Sequence, residues 1–123
     1  KTKFIIEINN QLIKEKCLMV VFGICKFSGG GMQFTKEVDS TDGLLDITIA
    51  KNLTLIDIIL NLPKLYNGLI VHHKKVETFK TTSLKITPLL KSEKPFIQAD
   101  GELINSGFIS VSILKKAIQF IIP

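Results

Sequence analysis

The chain has 123 residues, 46% hydrophobic and 22% charged, with a formal charge of +5 at neutral pH. That balance excludes intrinsic disorder, and the length suits one compact domain that buries most of its apolar surface. Lysines come singly or in pairs, as at Lys74-Lys75 and Lys115-Lys116, without the interleaved aromatics of a nucleic-acid stripe, so nucleic acid is not an expected partner.

Cys17 and Cys25 lie in apolar runs with no Cys-x-x-Cys spacing and no nearby His, which suits buried thiols in a reducing compartment better than metal or redox chemistry. The apolar runs 17–22 and 117–123 are too short to span a bilayer, and no secretory-type leader opens the chain. The expectation is a cytoplasmic protein.

In chain order, residues 4–8 read as an apolar, β-branched strand ended by Asn9-Asn10, a pair that tolerates left-handed turn conformations. Residues 12–16 alternate loosely, and 17–22 form a continuous apolar run of the kind found in fully buried strands, so a hairpin is expected. Gly29-Gly30-Gly31 removes three Cβ atoms in succession and predicts a sharp bend or a crowded approach. Residues 44–50 predict a half-buried strand, with Asp46 and Thr48 on one face and Leu45, Ile47 and Ile49 on the other.

Residues 53–66 carry the one convincing helical pattern. Thr54 is the cap, Asp57 follows three residues later, Leu55, Ile58, Ile59 and Leu62 recur at helical spacing, and Pro63 should kink or end the segment. Asn67-Gly68 then marks a turn, and 69–71, 76–80, 83–86, 96–99 and 108–111 read as short strands. One helix among many strands, with no repeat and no linker, predicts a mainly β domain, an antiparallel two-sheet β-sandwich or an open barrel.

Two acidic segments offer chemistry. Asp39-Ser40-Thr41-Asp42-Gly43 supplies carboxylates and carbonyls suited to a hard cation, but an EF-hand is excluded because Gly43 and Ala50 fall where that loop needs other residues. Residue types alone favour a β-turn there. Asp100-Gly101-Glu102 would put two carboxylates on one strand face if the backbone stays extended, a pair suited to general-base or metal work, whereas an Asp-Gly hairpin turn is the simpler reading. His72-His73 cannot share a metal if both lie on a strand, Phe22, Phe27 and Phe34 suit a core, and neither a nucleophile elbow nor a Walker loop is present.

Taken in order, Gly29-Gly30-Gly31-Met32, Asp42-Gly43-Leu44-Leu45-Asp46, Leu62-Pro63-Lys64-Leu65-Tyr66-Asn67-Gly68, His73 with Val76-Glu77, and Ala99-Asp100-Gly101-Glu102 resemble the diacylglycerol kinase and sphingosine kinase-like lipid kinase family. The likeness is to the C-terminal domain of the bacterial type and covers nearly the whole chain. It implies that residues 1–123 are the substrate-side β-sandwich domain, and that an N-terminal nucleotide-binding domain carrying a Gly-Gly-Asp-Gly-Thr motif is absent from this chain. The isolated domain is then expected to be inactive.

Carried over, the resemblance implies Glu102 as the proton acceptor, with Asp100 beside it. It implies a structural Mg²⁺ on the Asp42 side chain and the backbone carbonyls of Asp39 and Leu44, and a substrate-adjacent loop at Gly29, Gly30 and Gly31. The implied reaction moves the ATP γ-phosphoryl group to a diacylglycerol-like lipid hydroxyl, with ATP bound mainly by the absent domain. The family's Asn before the triple glycine has no counterpart in Phe22-Gly23-Ile24-Cys25-Lys26, which implies a divergent branch or a different lipid. The positive charge suits peripheral contact with an anionic membrane, although no helix reads as a basic amphipathic anchor, and exposed sheet edges leave a homodimer open. A non-catalytic lipid-binding module and an NAD kinase-like half-enzyme are the alternatives.

Overall fold

The computed structural model describes residues 1–35 and 37–117, so the apolar run 117–123 lies, Ala117 apart, outside the described residues. The first two strands, β1 (Thr2–Ile8) and β2 (Gln11–Cys17), form the expected hairpin, with Asn9 and Asn10 both at positive φ and Ile8 paired to Gln11. The chain then supplies β3 (Met19–Gly23), β4 (Leu45–Ala50), helix α1 (Leu55–Tyr66), β5 (Val76–Thr81), β6 (Ser83–Pro88), β7 (Phe96–Ala99), β8 (Glu102–Ser106) and β9 (Ile109–Ser112).

Among the described residues all strand pairs are antiparallel. One sheet runs β2-β1-β6-β9, a second β3-β4-β5, and β7-β8 is a separate hairpin. Period-two alternation explains why the first two sheets face each other. Phe4, Ile6 and Ile8 of β1 and Leu84 and Ile86 of β6 meet Leu45, Ile47 and Ile49 of β4, and Cys17 joins this core. The expected β-sandwich with one α-helix is borne out.

Several local expectations are corrected. The apolar run 17–22 is two strands, because the chain crosses between sheets at Leu18: Cys17 ends β2 in the core, and the Leu18 N–H donates to the Ala50 carbonyl (2.9 Å) beside β3. The strand expected to be half-buried is buried on both faces, since the side carrying Asp46, Thr48 and Ala50 is also covered. Residues 69–71 belong to a 3-10 turn, Leu69–His72, entered through Gly68 at φ 74°. Pro63 does not end α1; it sits in the final turn, where the intrahelical bond it removes would fall on the solvent-exposed Ile59 side. Segment 102–106 forms a strand that the Asp-Gly turn signal only hinted at, Cys25 is exposed rather than buried, and Phe27 is exposed with Lys26 Nζ 5.4 Å from its ring centre. Cys17 is buried as expected, and burial, with Glu15 nearby, pushes its thiol up to about 11, which keeps it protonated and inert.

The helix begins as the sequence predicts. The Thr54 hydroxyl accepts the Asp57 N–H (3.1 Å), Asp57 Oδ2 accepts the Thr54 N–H (2.7 Å), and the Lys75 ammonium donates to the same oxygen (2.5 Å). The Lys75 hydrogen bond, followed by those from Thr54, holds the Asp57 carboxyl far below the usual carboxylate range. A depressed folded-state value means that the unfolded chain binds the proton more tightly, so this stabilisation is complete above the ordinary Asp value of about 4 and is lost as pH falls further. Asp57→Asn should therefore lower the melting temperature at neutral pH, with the gap to wild type closing in acid; a gap of constant size across the titration would refute the assignment.

Candidate functional site

The outer face of the β3-β4-β5 sheet changes character along its length. Register places Met19, Ala50 and Val76 side by side, then Val21, Thr48 and Thr78, then Gly23, Asp46 and Lys80. One end is thus apolar and the other charged, about 13 Å apart at the rise of an extended chain.

At the apolar end α1 roofs a cavity of about 150 Å³, lined by Met19, Val21, Ala50, Ile58, Leu65 and Val76 among others. The helix presents Asp57, Ile58, Asn61 and Leu65 inward, and Leu55, Ile59 and Leu62 are exposed. Only Ile58 of the apolar set expected at helical spacing packs in. Phe34 also lines the cavity; its carbonyl accepts the Thr48 hydroxyl, while the neighbouring Gln33 N–H donates to the Leu65 carbonyl (2.6 Å), tying the last turn of α1 to this segment. Asn61, buried within the helix, donates from Nδ2 to the Asp57 carbonyl (2.7 Å).

At the charged end, Asp42 Oδ1 accepts the Leu44 N–H (2.8 Å) and Oδ2 accepts the Lys80 ammonium (2.8 Å). Lys80 also stands 3.6 Å from Asp46 Oδ1, and Asp46 Oδ2 is buried with no hydrogen-bond partner among the described residues. Asp39 Oδ1 accepts both the Thr41 N–H (2.8 Å) and its hydroxyl (2.6 Å), and the Asp39 carbonyl accepts the Asp42 N–H (3.3 Å), closing a turn. Gly43 has φ 69°, a left-handed conformation that favours glycine, and the flexible Lys115 side chain lies 2.9 Å from where its Cβ would be.

The electrostatics follow from these contacts. The Lys80 hydrogen bond, then the Leu44 N–H, holds Asp42 below the usual carboxylate range, and the Thr41 hydroxyl and N–H do the same for Asp39. Burial raises Asp46, against the opposing pull of Lys80, and the bond to Asp42 raises Lys80. A second cavity of about 180 Å³ lies here, lined by Thr35, Glu37, Asp46, Thr78 and Lys80.

The donor set fits a hard divalent cation. The side-chain donors of the loop are oxygens, the type a hard cation takes, while two lysines, Lys80 and the Lys115 side chain beside Gly43, reach the same loop. Among the described residues no cluster of three or more His, Cys, Asp or Glu side chains has metal-holding geometry, so any ion would also need backbone carbonyls. His73 is not a candidate, since its Nδ1 accepts the Lys75 N–H (3.2 Å); His72 lies in the 3-10 turn rather than on a strand.

The other expected site residues stand apart from this loop. Asp100 (φ 50°) and Gly101 (φ 87°) form the turn of the β7-β8 hairpin, with Ala99 paired to Glu102. The extended backbone needed to align both carboxylates on one strand face is therefore absent, and both are exposed at the hairpin tip. No described hydrogen bond or ion pair links either to the 39–44 loop. Gly30 (φ 72°) and Gly31 (φ 86°) turn the chain sharply so that Ser28 and Met32 exchange backbone hydrogen bonds (2.8 and 3.0 Å); space around both glycines is open, so the loop is bent rather than crowded. Sequence reasoning missed Asp46 and Lys80 as site residues. A carboxylate within the apolar strand 44–50 was the available signal, but its partner on β5 depends on strand register.

Among the described residues no helix is long and apolar enough to cross a membrane. Residues 1–122 match the family described as the YegS C-terminal NAD kinase beta sandwich-like domain. A protein of Shewanella frigidimarina (strain NCIMB 400) named "Probable lipid kinase YegS-like" is 32% identical over 107 residues, which is 85% of this chain and 33% of that protein. The fold matches that of a candidate diacylglycerol kinase of Bacillus anthracis (strain Sterne), with a TM-score of 0.72 and 21% identity over 93% of this chain and 36% of the other. A diacylglycerol kinase structure from the same organism matches with a TM-score of 0.67 and 16% identity, covering 93% of this chain and 40% of that one. The chain thus spans about a third of the length of its curated relative. With residues 1–122 inside the family match and the sandwich in place to support it, the chain belongs to the family of YegS C-terminal NAD kinase beta sandwich-like domains.

Proposed function

We propose that this domain is the lipid-side half of an ATP-dependent lipid kinase, completed by a nucleotide-binding domain outside this chain. The observation that carries the reading is the polarity of one sheet face, with an apolar cavity under α1 at one end and the Asp42-Asp46-Lys80 group at the other. An amphiphile is the ligand class that matches such a face. A cavity of about 150 Å³ is of the size that holds benzene, so it accommodates a segment of an aliphatic chain, with the remainder lying along the mouth at Leu18 and Met19.

In the proposed reaction a lipid hydroxyl attacks the γ-phosphorus of ATP, the bond to the β-γ bridging oxygen breaks, and ADP leaves. The hydroxyl proton goes to a carboxylate, and Glu102 at the β7-β8 tip is assigned that role, with Asp100 beside it as the alternative base. A hairpin tip suits such a group, because it projects the carboxylate away from the sheet toward a facing domain. Asp42, with the carbonyls of Asp39 and Leu44, would hold Mg²⁺. When bound, Mg²⁺ would neutralise the carboxylate charge of the 39–44 loop and order it, a structural role. Diacylglycerol-like lipids at an anionic membrane surface are the proposed substrates and setting. Cytoplasmic placement belongs to the same proposal, and a homodimer is a further arrangement that the exposed sheet edges permit.

Two measurements test this. In the isolated domain, millimolar Mg²⁺ should raise the melting temperature of wild type but not of Asp42→Asn; an equal response in both, or none in wild type, removes Asp42 as a ligand. In the protein joined to its nucleotide-binding half, Glu102→Gln should lower kcat by roughly 10²–10⁴ with the KM for ATP unchanged. Full turnover in that variant would remove Glu102 from its role. Vesicle binding without phosphotransfer in the joined wild type would favour a non-catalytic lipid-binding module, and phosphorylation of NAD instead of lipid would favour an NAD kinase-like half-enzyme.

A further inference from the structure

Helix α1 is apolar on the face that points away from the protein. Leu55, Ile56, Ile59 and Leu60 are each between 68% and 78% exposed, and Leu62 and Tyr66 extend the same arc. Scattered exposed leucines are ordinary, whereas a contiguous apolar helix face marks an interaction surface. The inward side of α1 roofs the apolar cavity, so the helix has hydrophobic groups on both sides.

We propose that the outer face of α1 is the membrane-docking surface of this domain, seated in the interfacial layer of an anionic bilayer. The inference rests on the lipid kinase reading for its choice of occupant, and three observations favour a bilayer over another protein surface. Leu18 and Met19, 38% and 40% exposed, line the cavity and remain partly open to solvent, so apolar surface continues from the outside of the domain into the space beneath the helix. A lipid following that path stays in contact with hydrocarbon-like groups as it leaves the bilayer. Secondly, charge near the face is complementary to anionic headgroups: Asp57, the one acid of segment 51–76, is neutralised by Lys75, Lys51 is paired with Glu15 and Glu77, and Lys64 and Lys74 have no described ion pair. Thirdly, α1 sits at the opposite end of β4 from Asp42 and Asp46, so a bilayer on its outer face leaves the charged end of the sheet uncovered. A basic, stand-alone amphipathic helix is not required, because the inward face is held by the protein itself: Lys75 anchors the first turn through Asp57, and Gln33 anchors the last through the carbonyls of Leu65 (2.6 Å) and Tyr66 (3.2 Å).

The chain contains one tyrosine and no tryptophan, so its intrinsic fluorescence reports from α1 itself. The experiment uses vesicles of phosphatidylcholine, with or without about 30% phosphatidylglycerol, and the same vesicles with brominated acyl chains. Wild type should bind the anionic vesicles with Tyr66 emission quenched by the brominated lipid. Ile56→Glu/Leu60→Glu should keep the wild-type melting temperature and bind roughly tenfold or more weakly, while Leu12→Glu, at an exposed position on β2, should bind as wild type does. Unquenched Tyr66 on bound wild-type protein, or unchanged binding by the double variant, overturns the proposal. So does a wild-type dimer that the double variant dissolves without change in vesicle binding, since a second copy is then the occupant. None of these readouts involves phosphotransfer, so loss of docking with kinase activity intact counts against this surface alone, and quenching with no activity in the joined protein counts against the kinase reading alone.

Discussion

The structure depends on the burial of β4 on both faces. One face completes the sandwich core through Leu45, Ile47 and Ile49, and a strand fixed there cannot shift register without turning those side chains outward. The other face carries Asp46, Thr48 and Ala50 in fixed order, so the core that stabilises the domain also sets the spacing between its charged and apolar ends. A charged residue at a covered position is costly unless partnered, and Lys80 on the adjacent strand is placed by the same register to offset that cost.

The outer face of β4 is covered by a loop segment and a helix. The segment through Gln33 and Phe34 bonds both to Thr48 and to the end of α1, and Asp57 joins the start of α1 to Lys75 ahead of β5. The helix is thus tethered at both ends over a cavity, an arrangement that leaves room beneath it while holding its orientation. The 39–44 loop is organised at the opposite end by Asp42 and Lys80. A hydrogen-bonded ammonium there balances part of the carboxylate charge.

Much of the fold was legible because its signals are local. The Asn9-Asn10 turn, the Thr54-Asp57 capping box and the alternation of Phe4, Ile6 and Ile8 each declare themselves within a few residues. The split of the 17–22 run was not, since a strand that changes sheets and a single buried strand share one hydrophobic pattern. Nor was the orientation of α1: Leu55, Ile58, Ile59 and Leu62 satisfy helical spacing, yet Asp57 and Asn61 fall on the covered side because the partners of that side, Lys75 and the cavity rim, come from distant sequence. The site shows the same division. Asp42 and Glu102 were singled out by motif order, whereas Asp46 and Lys80 were missed, because the Asp46-Lys80 contact exists only through strand pairing. The Asp100-Gly101 turn separates two carboxylates that would share a face on an extended chain.

The central claim is that one sheet face divides into a lipid end and a cation end. Methyl and amide NMR spectra of the domain, titrated separately with dioctanoylglycerol and with Mg²⁺, test it most directly. The account predicts that the lipid shifts the methyls of Val21, Ile58, Leu65 and Val76, while Mg²⁺ shifts the amides of Asp39, Asp42 and Leu44. Lipid-induced shifts confined to the β7-β8 hairpin, or both ligands perturbing the same residues, would contradict it.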